Sequence, residues 1–275
     1  MREDEKDYAV AFFTPIDTDG ITFVCRPPSM PSKPKELENP LSSKFGSHVE
    51  CIAVFNDVFI PWESIFMAGE YEFAGPMATT FSSIHTPSKG GCGAGAMDTA
   101  IGALALIADY NGVEHASHIR DYLTEMIMAA ETVYSCGIAA AAEGARHDSG
   151  VHISKGLPAH SGKVYYAKKV VEERFFMQDA AGGLVVTMAS EEDYRNPETS
   201  KYLEKYYRGR EGVPTEHRVR AFKLIEDLIA SDYAGYYQAM SISGGVNPQS
   251  HKQMIFLDYD FEPLKRRARR AAGID

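Results

Sequence analysis

Apolar and polar positions follow two different rhythms along the 275-residue chain. Before about residue 75 the apolar residues come in short runs bounded by turn formers, the pattern of strands and loops. Residues 8–14 (YAVAFFT), 21–26 (ITFVCR) and 51–60 (CIAVFNDVFI) are strand candidates. Residues 17–20 form a turn between the first two, Asn56-Asp57 a turn or bulge within the third, and Pro61 stops it. Residues 27–40 carry five prolines and little apolar content, so a loop is expected there. Two or three strands make a marginal sheet unless other structure covers them. The first strand candidate begins within ten residues of Met1, as in a whole domain or in a fragment whose earlier strands lie elsewhere.

From about residue 76 the apolar spacing becomes helical. It predicts helices over 77–111, 115–145, 161–180, 197–208, 215–241 and 248–272. Asn111-Gly112 and Ser243-Gly244-Gly245 are C-terminal stops, and Thr215, after Gly212-Val213-Pro214, is expected to be an N-cap. Val219, Phe222, Leu224, Ile225, Leu228 and Ile229 recur at three- and four-residue spacing, an amphipathic face. Long helices with short connections argue for a bundle. The expected class is α+β, mainly α, with a partial β domain over 1–75 and a helical bundle over 76–275.

A net charge of −10 argues against non-specific nucleic-acid binding. Lys265, Arg266, Arg267, Arg269 and Arg270 are expected on the solvated last turns of a helix, where cations suit the dipole. No apolar stretch is expected to reach the ~20 residues that cross a bilayer, and the run 91–108, which contains Asp98, reads as a buried helix. The charged N-terminus lacks the apolar core of a signal peptide. Cys25, Cys51, Cys92 and Cys136 are too widely spread for a disulfide framework, and no CxxC pair suggests a self-contained zinc site. A reduced, cytoplasmic setting is the expectation.

The stretch from His85 to Cys92 (HTPSKGGC) is the most informative for chemistry. Seven residues on a helix return to within ~20° of the same azimuth but rise ~10 Å. That is too far for one zinc ion without bending, and suits a larger group such as an iron–sulfur cluster or a flavin edge. Pro87 and Gly90-Gly91 disturb a regular helix, and the glycines admit close approach to the backbone. The plainer alternative is a core histidine and cysteine in a tight helix contact. Ala181-Gly182-Gly183, near a helix end, either caps it or approaches a phosphate or adenine. It is not GxGxxG and follows no strand, so a Rossmann reading fails. Glu50, between Val49 and Cys51, is either a base with a raised pKa or an exposed residue at a strand end. His147, His152 and His160 are expected at the surface of a loop.

Seven segments together resemble the 4-hydroxybutyryl-CoA dehydratase family, which groups with the 4-hydroxyphenylacetate 3-hydroxylases. They are 5–12 (EKDYAVAF), 50–61 (ECIAVFNDVFIP), 70–75 (EYEFAG), His85 with Gly90-Gly91-Cys92, 108–126 (ADYNGVEHASHIRDYLTEM), Cys136-Gly137-Ile138-Ala139 with Ala142-Glu143-Gly144, and 181–190 (AGGLVVTMAS). The resemblance implies an acyl-CoA-dehydrogenase-like fold whose last part this chain covers, an acyl-CoA substrate and a homo-oligomer. It implies FAD, approached by Ala181, Gly182 and Gly183, and a [4Fe–4S] cluster held by three cysteines and a histidine. His85 and Cys92 match two of those ligands. The other two belong to a preceding domain, so a separate N-terminal-half chain would have to supply them. Glu50 matches a glutamate near the substrate. The family carries a tyrosine where Lys89 stands, a lysine where Gly93 stands, and a late glutamate not found near 238–241. The resemblance therefore implies a dehydratase-like and isomerase-like portion of an enzyme. A flavin monooxygenase component acting on a phenol and a degenerate structural subunit are the alternatives.

Overall fold

The computed structural model of the chain describes residues 1–29, 35–45 and 49–274. Its strands are β1 (Val10–Phe12), β2 (Ile21–Cys25), β3 (Cys51–Phe55), β4 (Ile65–Ala68) and a small ribbon of β5 (Ala145–Arg146) with β6 (His152–Ile153). Its helices are α1 (Ser42–Phe45), α2 (Ala74–His85), α3 (Lys89–Asn111), α4 (Ser117–Ala142), α5 (Gly156–Ala181), α6 (Leu184–Thr187), α7 (Glu191–Arg195), α8 (Pro197–Tyr206), α9 (Thr215–Ile229), α10 (Asp232–Ser243), α11 (Pro248–Asp258) and α12 (Glu262–Ala272). The protein is mainly helical with small sheets. Contacts divide it into two compact units, Met1–Phe81 with Gly182–Tyr236, and Ser82–Ala181 with Tyr237–Asp275.

In the first unit β1 pairs antiparallel with β4, and β2 with β3 in the register Ile21↔Phe55 to Cys25↔Cys51. The third strand candidate ends at Phe55, because Asp57 adopts a positive φ of 54° and turns the chain. Pairing of β1 falls instead to β4, a strand that the pattern did not announce because the Trp62–Ser64 turn precedes it. The expected loop over 27–40 lies partly outside the described residues.

Helix starts in this unit follow side-chain caps: Ser190 accepts from Asp193 N on α7, and Asn196 from Glu198 N on α8. Thr215 does not cap α9. Pro214 occupies the cap position, Thr215 is the first helical residue, and its hydroxyl donates to the Glu204 carbonyl. The buried Asp227 carboxylate on α9 accepts from Leu41 N at 2.9 Å, Ser42 N at 2.7 Å and Ser42 Oγ at 2.8 Å, so one side chain holds the start of α1. Leu37, Tyr194 and Val219 form a small core there.

The second unit is built on α3, α4 and α5, 23, 26 and 26 residues long. Gly112 in the left-handed region (φ 70°) ends α3, as Asn111-Gly112 predicts. Ala94, Met97, Ala129, Ala130, Val133, Tyr166 and Val170 form the core between the three helices. The small residues matter: a Cβ on Gly90 would lie 2.6 Å from the Gly137 Cα, so α3 and α4 meet backbone to backbone. Asn247 caps α11 by accepting from Ser250 N.

Several expected helices are shorter or interrupted. The first is broken by a 3-10 turn over Thr86–Ser88 at Pro87. The run 215–241 divides at Ala230-Ser231, where no Gly or Pro stands, and 248–272 divides at Tyr259–Phe261, just before Pro263 in the first turn of α12. α12 has no buried residue, and its basic residues are solvated as expected. The expectation of no bilayer-length apolar stretch fails. The helical run Tyr71–Asn111 is long and apolar enough, by length and composition, to cross a membrane, although 44% of its most apolar window is buried inside the protein. In α3 that burial falls on Gly93, Ala94, Met97, Ala100, Ala103, Leu104 and Ile107, the helix face toward the core.

Candidate functional site

The α2–α3 junction carries the predicted pair. His85 is the last residue of α2, Cys92 lies in the first turn of α3, and the 3-10 turn with Pro87 separates them. Both side chains are exposed, so neither is the quiet core residue of the plainer alternative. A Cβ on Gly245, which has a φ of +85°, would lie 3.2–3.3 Å from the His85 ring, so the turn after α10 closes onto this imidazole. The glycines between the pair have distinct uses. Gly90 meets α4. Gly93 faces the Tyr166 ring, where a Cβ would sit at 3.2 Å, and Gly91 and Gly95 have nothing within 4 Å of a Cβ. Part of the glycine signal is therefore the tight helix contact, and part is open backbone.

α5 places a polar row behind this segment. Lys163 is 2% exposed, and its ammonium donates to the Ser241 carbonyl at 2.6 Å and to that of Ile242 at 3.4 Å. Those carbonyls belong to the last turn of α10, which has no further helical N–H for them. Burial first, and then the Lys89 charge, push the Lys163 ammonium down to about 8. Tyr166 is fully buried, with its hydroxyl 3.1 Å from Ser241 Oγ and 3.4 Å from Tyr237 Oη. Burial raises its pKa. The Lys89 ammonium stands 5.7 Å from the Tyr166 ring centroid. Glu173 continues the row. It is buried, its Oε1 makes no hydrogen bond among the described residues, and burial pushes its carboxyl up to about 8 against the opposing pull of Arg174.

Sequence reasoning missed these groups, although a signal was present. Residues 163, 166, 170, 173 and 177 recur at three- and four-residue spacing, and all five are buried. Charged residues on such a stripe mark buried charge.

His160 corrects another expectation. It lies within α5 and is 4% exposed, not at the surface, because α5 starts at Gly156 with Pro158 tolerated in its first turn. Its Nδ1 stands 3.0 Å from Nδ1 of His251, which is 1% exposed. Burial lowers the pKa of both; for His251, the neighbouring His160 and Lys163 add to it and bring it to about 4. His147 and His152 are exposed, as expected.

Glu50 belongs to the first unit. It is exposed beside β3, and its Oε1 accepts from the Tyr236 hydroxyl at 2.9 Å. The Arg26 guanidinium lies 4.9 Å from the Tyr236 ring centroid. Burial and then the Glu50 hydrogen bond raise the Tyr236 pKa. Ala181 ends α5 and is buried. Gly182 follows in the left-handed region at φ +66°, an open helix end where neither Gly182 nor Gly183 has an atom within 4 Å of a Cβ. The space where their side chains would stand leaves room for a large planar or phosphorylated group.

Among the described residues no group of three or more His, Cys, Asp or Glu side chains is placed to hold a metal ion, so His85 and Cys92 have no third such residue beside them.

Residues 1–67 match the family model described as 4-hydroxyphenylacetate 3-hydroxylase N terminal, and residues 74–273 match its C-terminal counterpart. The chain is 37% identical, over its whole length, to the 4-hydroxybutyryl-CoA dehydratase/vinylacetyl-CoA-Δ-isomerase of Clostridium aminobutyricum, covering 58% of that protein. It is 25% identical to the 4-hydroxyphenylacetate 3-monooxygenase oxygenase component of Thermus thermophilus, over 98% of this chain and 56% of the other. An oxygen-tolerant archaeal 4-hydroxybutyryl-CoA dehydratase from N. maritimus superposes with a TM-score of 0.91 at 36% identity, over all of this chain and 55% of that one. The oxygenase component of a 4-hydroxyphenylacetate 3-monooxygenase complexed with FAD superposes with a TM-score of 0.90 at 24% identity, covering 98% and 56%. The fold is therefore acyl-CoA-dehydrogenase-like. The chain spans a little over half the length of the relatives it matches.

Proposed function

The chain belongs to the 4-hydroxyphenylacetate 3-hydroxylase family, and on that premise we propose that it is the C-terminal portion or subunit of a 4-hydroxybutyryl-CoA dehydratase-like, vinylacetyl-CoA isomerase-like enzyme that uses FAD. The observation that carries this reading is the 37% identity to such a dehydratase over the whole chain, against 29% or less to the monooxygenases. The division near residue 75 is proposed as the domain boundary, supported by the family models that meet between residues 67 and 74.

In this reading Glu50 is the base and Tyr236 its hydrogen-bond partner, which holds the carboxylate in one rotamer and passes or returns a proton at Oε1. Gly182 and Gly183, with Ala181 before them, give the flavin room to approach where no side chain stands. When bound, the flavin supplies the oxidation that makes an unactivated C–H bond acidic. His85 and Cys92 offer two ligands to an iron–sulfur cluster, and a separate N-terminal-half chain would bring the other two. Support for such a partner comes from β2 and β3: Phe23 and Phe55 are exposed on one face of a two-stranded ladder, and Val24, Ile52 and Val54 on the other, apolar faces that further structure would cover. The substrate is then an acyl-CoA, the assembly a homo-oligomer and the setting cytoplasmic.

Iron, sulfide and flavin are to be measured in anaerobically purified protein, alone and co-expressed with an N-terminal-half chain. The expected result is flavin and iron in the co-expressed complex, with iron lost and flavin kept in His85→Ala and Cys92→Ala. A complex that binds neither flavin nor iron points to a structural subunit and overturns the proposal. A second reading, a flavin monooxygenase component acting on a phenol, is supported by the 25% identity to such an oxygenase component over 98% of this chain. It is established if flavin binds without iron and both substitutions leave activity intact.

A further inference from the structure

Cys25 ends β2, Cys51 begins β3, and the two stand directly opposite each other in the antiparallel ladder. Their neighbours show which kind of position this is. Arg26 N donates to the Glu50 carbonyl at 2.7 Å, and Asn56 N donates to that of Gly20 at 3.0 Å. Both bonds join residues opposed in the same register, and hydrogen-bonded pairs alternate along an antiparallel ladder with pairs that are not hydrogen-bonded. Cys25–Cys51 is therefore a pair of the second kind. Its Cα atoms stand ~4.5 Å apart, and its side chains leave the ladder on the same face. A disulfide accepts Cα separations of ~4.4–6.8 Å. Both thiols are free and exposed.

We propose that Cys25 and Cys51 are a redox-modification site that closes reversibly into a cross-strand disulfide by exchange with a small-molecule disulfide such as oxidised glutathione. One cysteine thiolate attacks a sulfur of the reagent, the reagent's S–S bond breaks, and one reduced thiol leaves. The second thiolate then attacks the mixed disulfide and releases the other reduced thiol. Two protein thiols are oxidised, one reagent disulfide is reduced, and the two thiol protons go to the departing thiolates. The bond would lock the end of the ladder that bears Arg26 and Glu50, the residues on either side of the Tyr236 contact. The site is open in this chain alone; a partner whose strands covered the face bearing Phe23 and Phe55 would also cover Cys25 and Cys51, so the exchange belongs to the chain without such a partner.

The test uses the full chain, reduced, desalted and exposed to graded ratios of oxidised to reduced glutathione. Remaining thiols are then alkylated and mapped by mass spectrometry. The expected result is a cross-link between the peptides carrying Cys25 and Cys51, with alkylation of both falling about tenfold or more while Cys92 stays alkylated. Dithiothreitol should restore both. Cys25→Ser should leave Cys51 as a stable glutathione adduct, and Cys51→Ser the converse. The wild-type map decides the matter even if a variant fails to fold. Cys25 and Cys51 staying alkylatable, each carrying its own glutathione, or linking instead to Cys92 or Cys136 overturns the proposal.

Discussion

Asp227 is fully buried and accepts two backbone N–H bonds and one hydroxyl bond, all from Leu41 and Ser42. Removing the carboxylate leaves those donors buried without a partner, which costs more than the net value of the bonds. Asp227→Ala is expected to lower the unfolding free energy by about 3 kcal/mol, read from urea denaturation, with Asp227→Asn losing less because one acceptor survives. Glu173 works in the opposite sense. Its folded pKa of about 8 lies above the ordinary 4.5, so the unfolded chain releases its proton first as pH rises. Folding stability from this group is intact below pH 4.5 and falls between 4.5 and 8. Glu173→Gln should therefore leave stability unchanged at pH 4.5 and raise it at pH 8, by on the order of 3 kcal/mol. A pair of denaturation curves at the two pH values checks it. Neither residue was legible as important in the sequence. Asp227 finds its partners more than 180 positions away, and Glu173 reads as an ordinary helix carboxylate until its position on the buried stripe is counted.

At the scale of elements, α3 and α4 approach through Gly90 and Gly137, each of which would drive a Cβ to within 2.6–2.7 Å of the other's Cα. A backbone atom cannot move aside as a flexible side chain can. Gly137→Ala is expected to push the two helices apart and to cost about 1–3 kcal/mol, read as a lower urea midpoint in denaturation. The helices themselves were readable from spacing, because α3, α4 and α9 bury regular faces and Gly112 stops α3. The break at Ala230-Ser231 was not, since no glycine or proline marks it, whereas the one at Tyr259–Phe261 had its signal in Pro263, which has no N–H to bond the Tyr259 carbonyl in a continuous helix. α11 depends on packing in a narrower way. Its sole buried residue is His251, whose lowered folded pKa makes its contribution full above pH 6.5 and lost progressively as pH falls toward 4. Hydrogen exchange of residues 248–258 should accelerate over that window, beyond the intrinsic rate, while that of α4 does not.

For the whole molecule, the division into strands first and helices afterwards was legible from the change of period near residue 76. The candidate site was legible only in part. His85, Cys92 and Glu50 stand out by type and spacing, whereas Lys163, Tyr166 and the two buried histidines are recognisable only once α5 is folded against its neighbours. The exposed apolar residues of β2 and β3 have a consequence at this scale too. Apolar side chains exposed on both faces of a ladder bind hydrophobic dyes and promote association. The chain alone should bind such a dye, and co-expression with an N-terminal-half chain should abolish most of that fluorescence.

The turn at Gly245 comes so close to the ring of His85 that a Cβ there would stand 3.2–3.3 Å from it. Gly245 also holds a φ of +85°, which a residue with a side chain rarely adopts. An exposed imidazole and a bend of main chain 160 positions further on are thereby tied, and any residue but glycine at 245 would displace both.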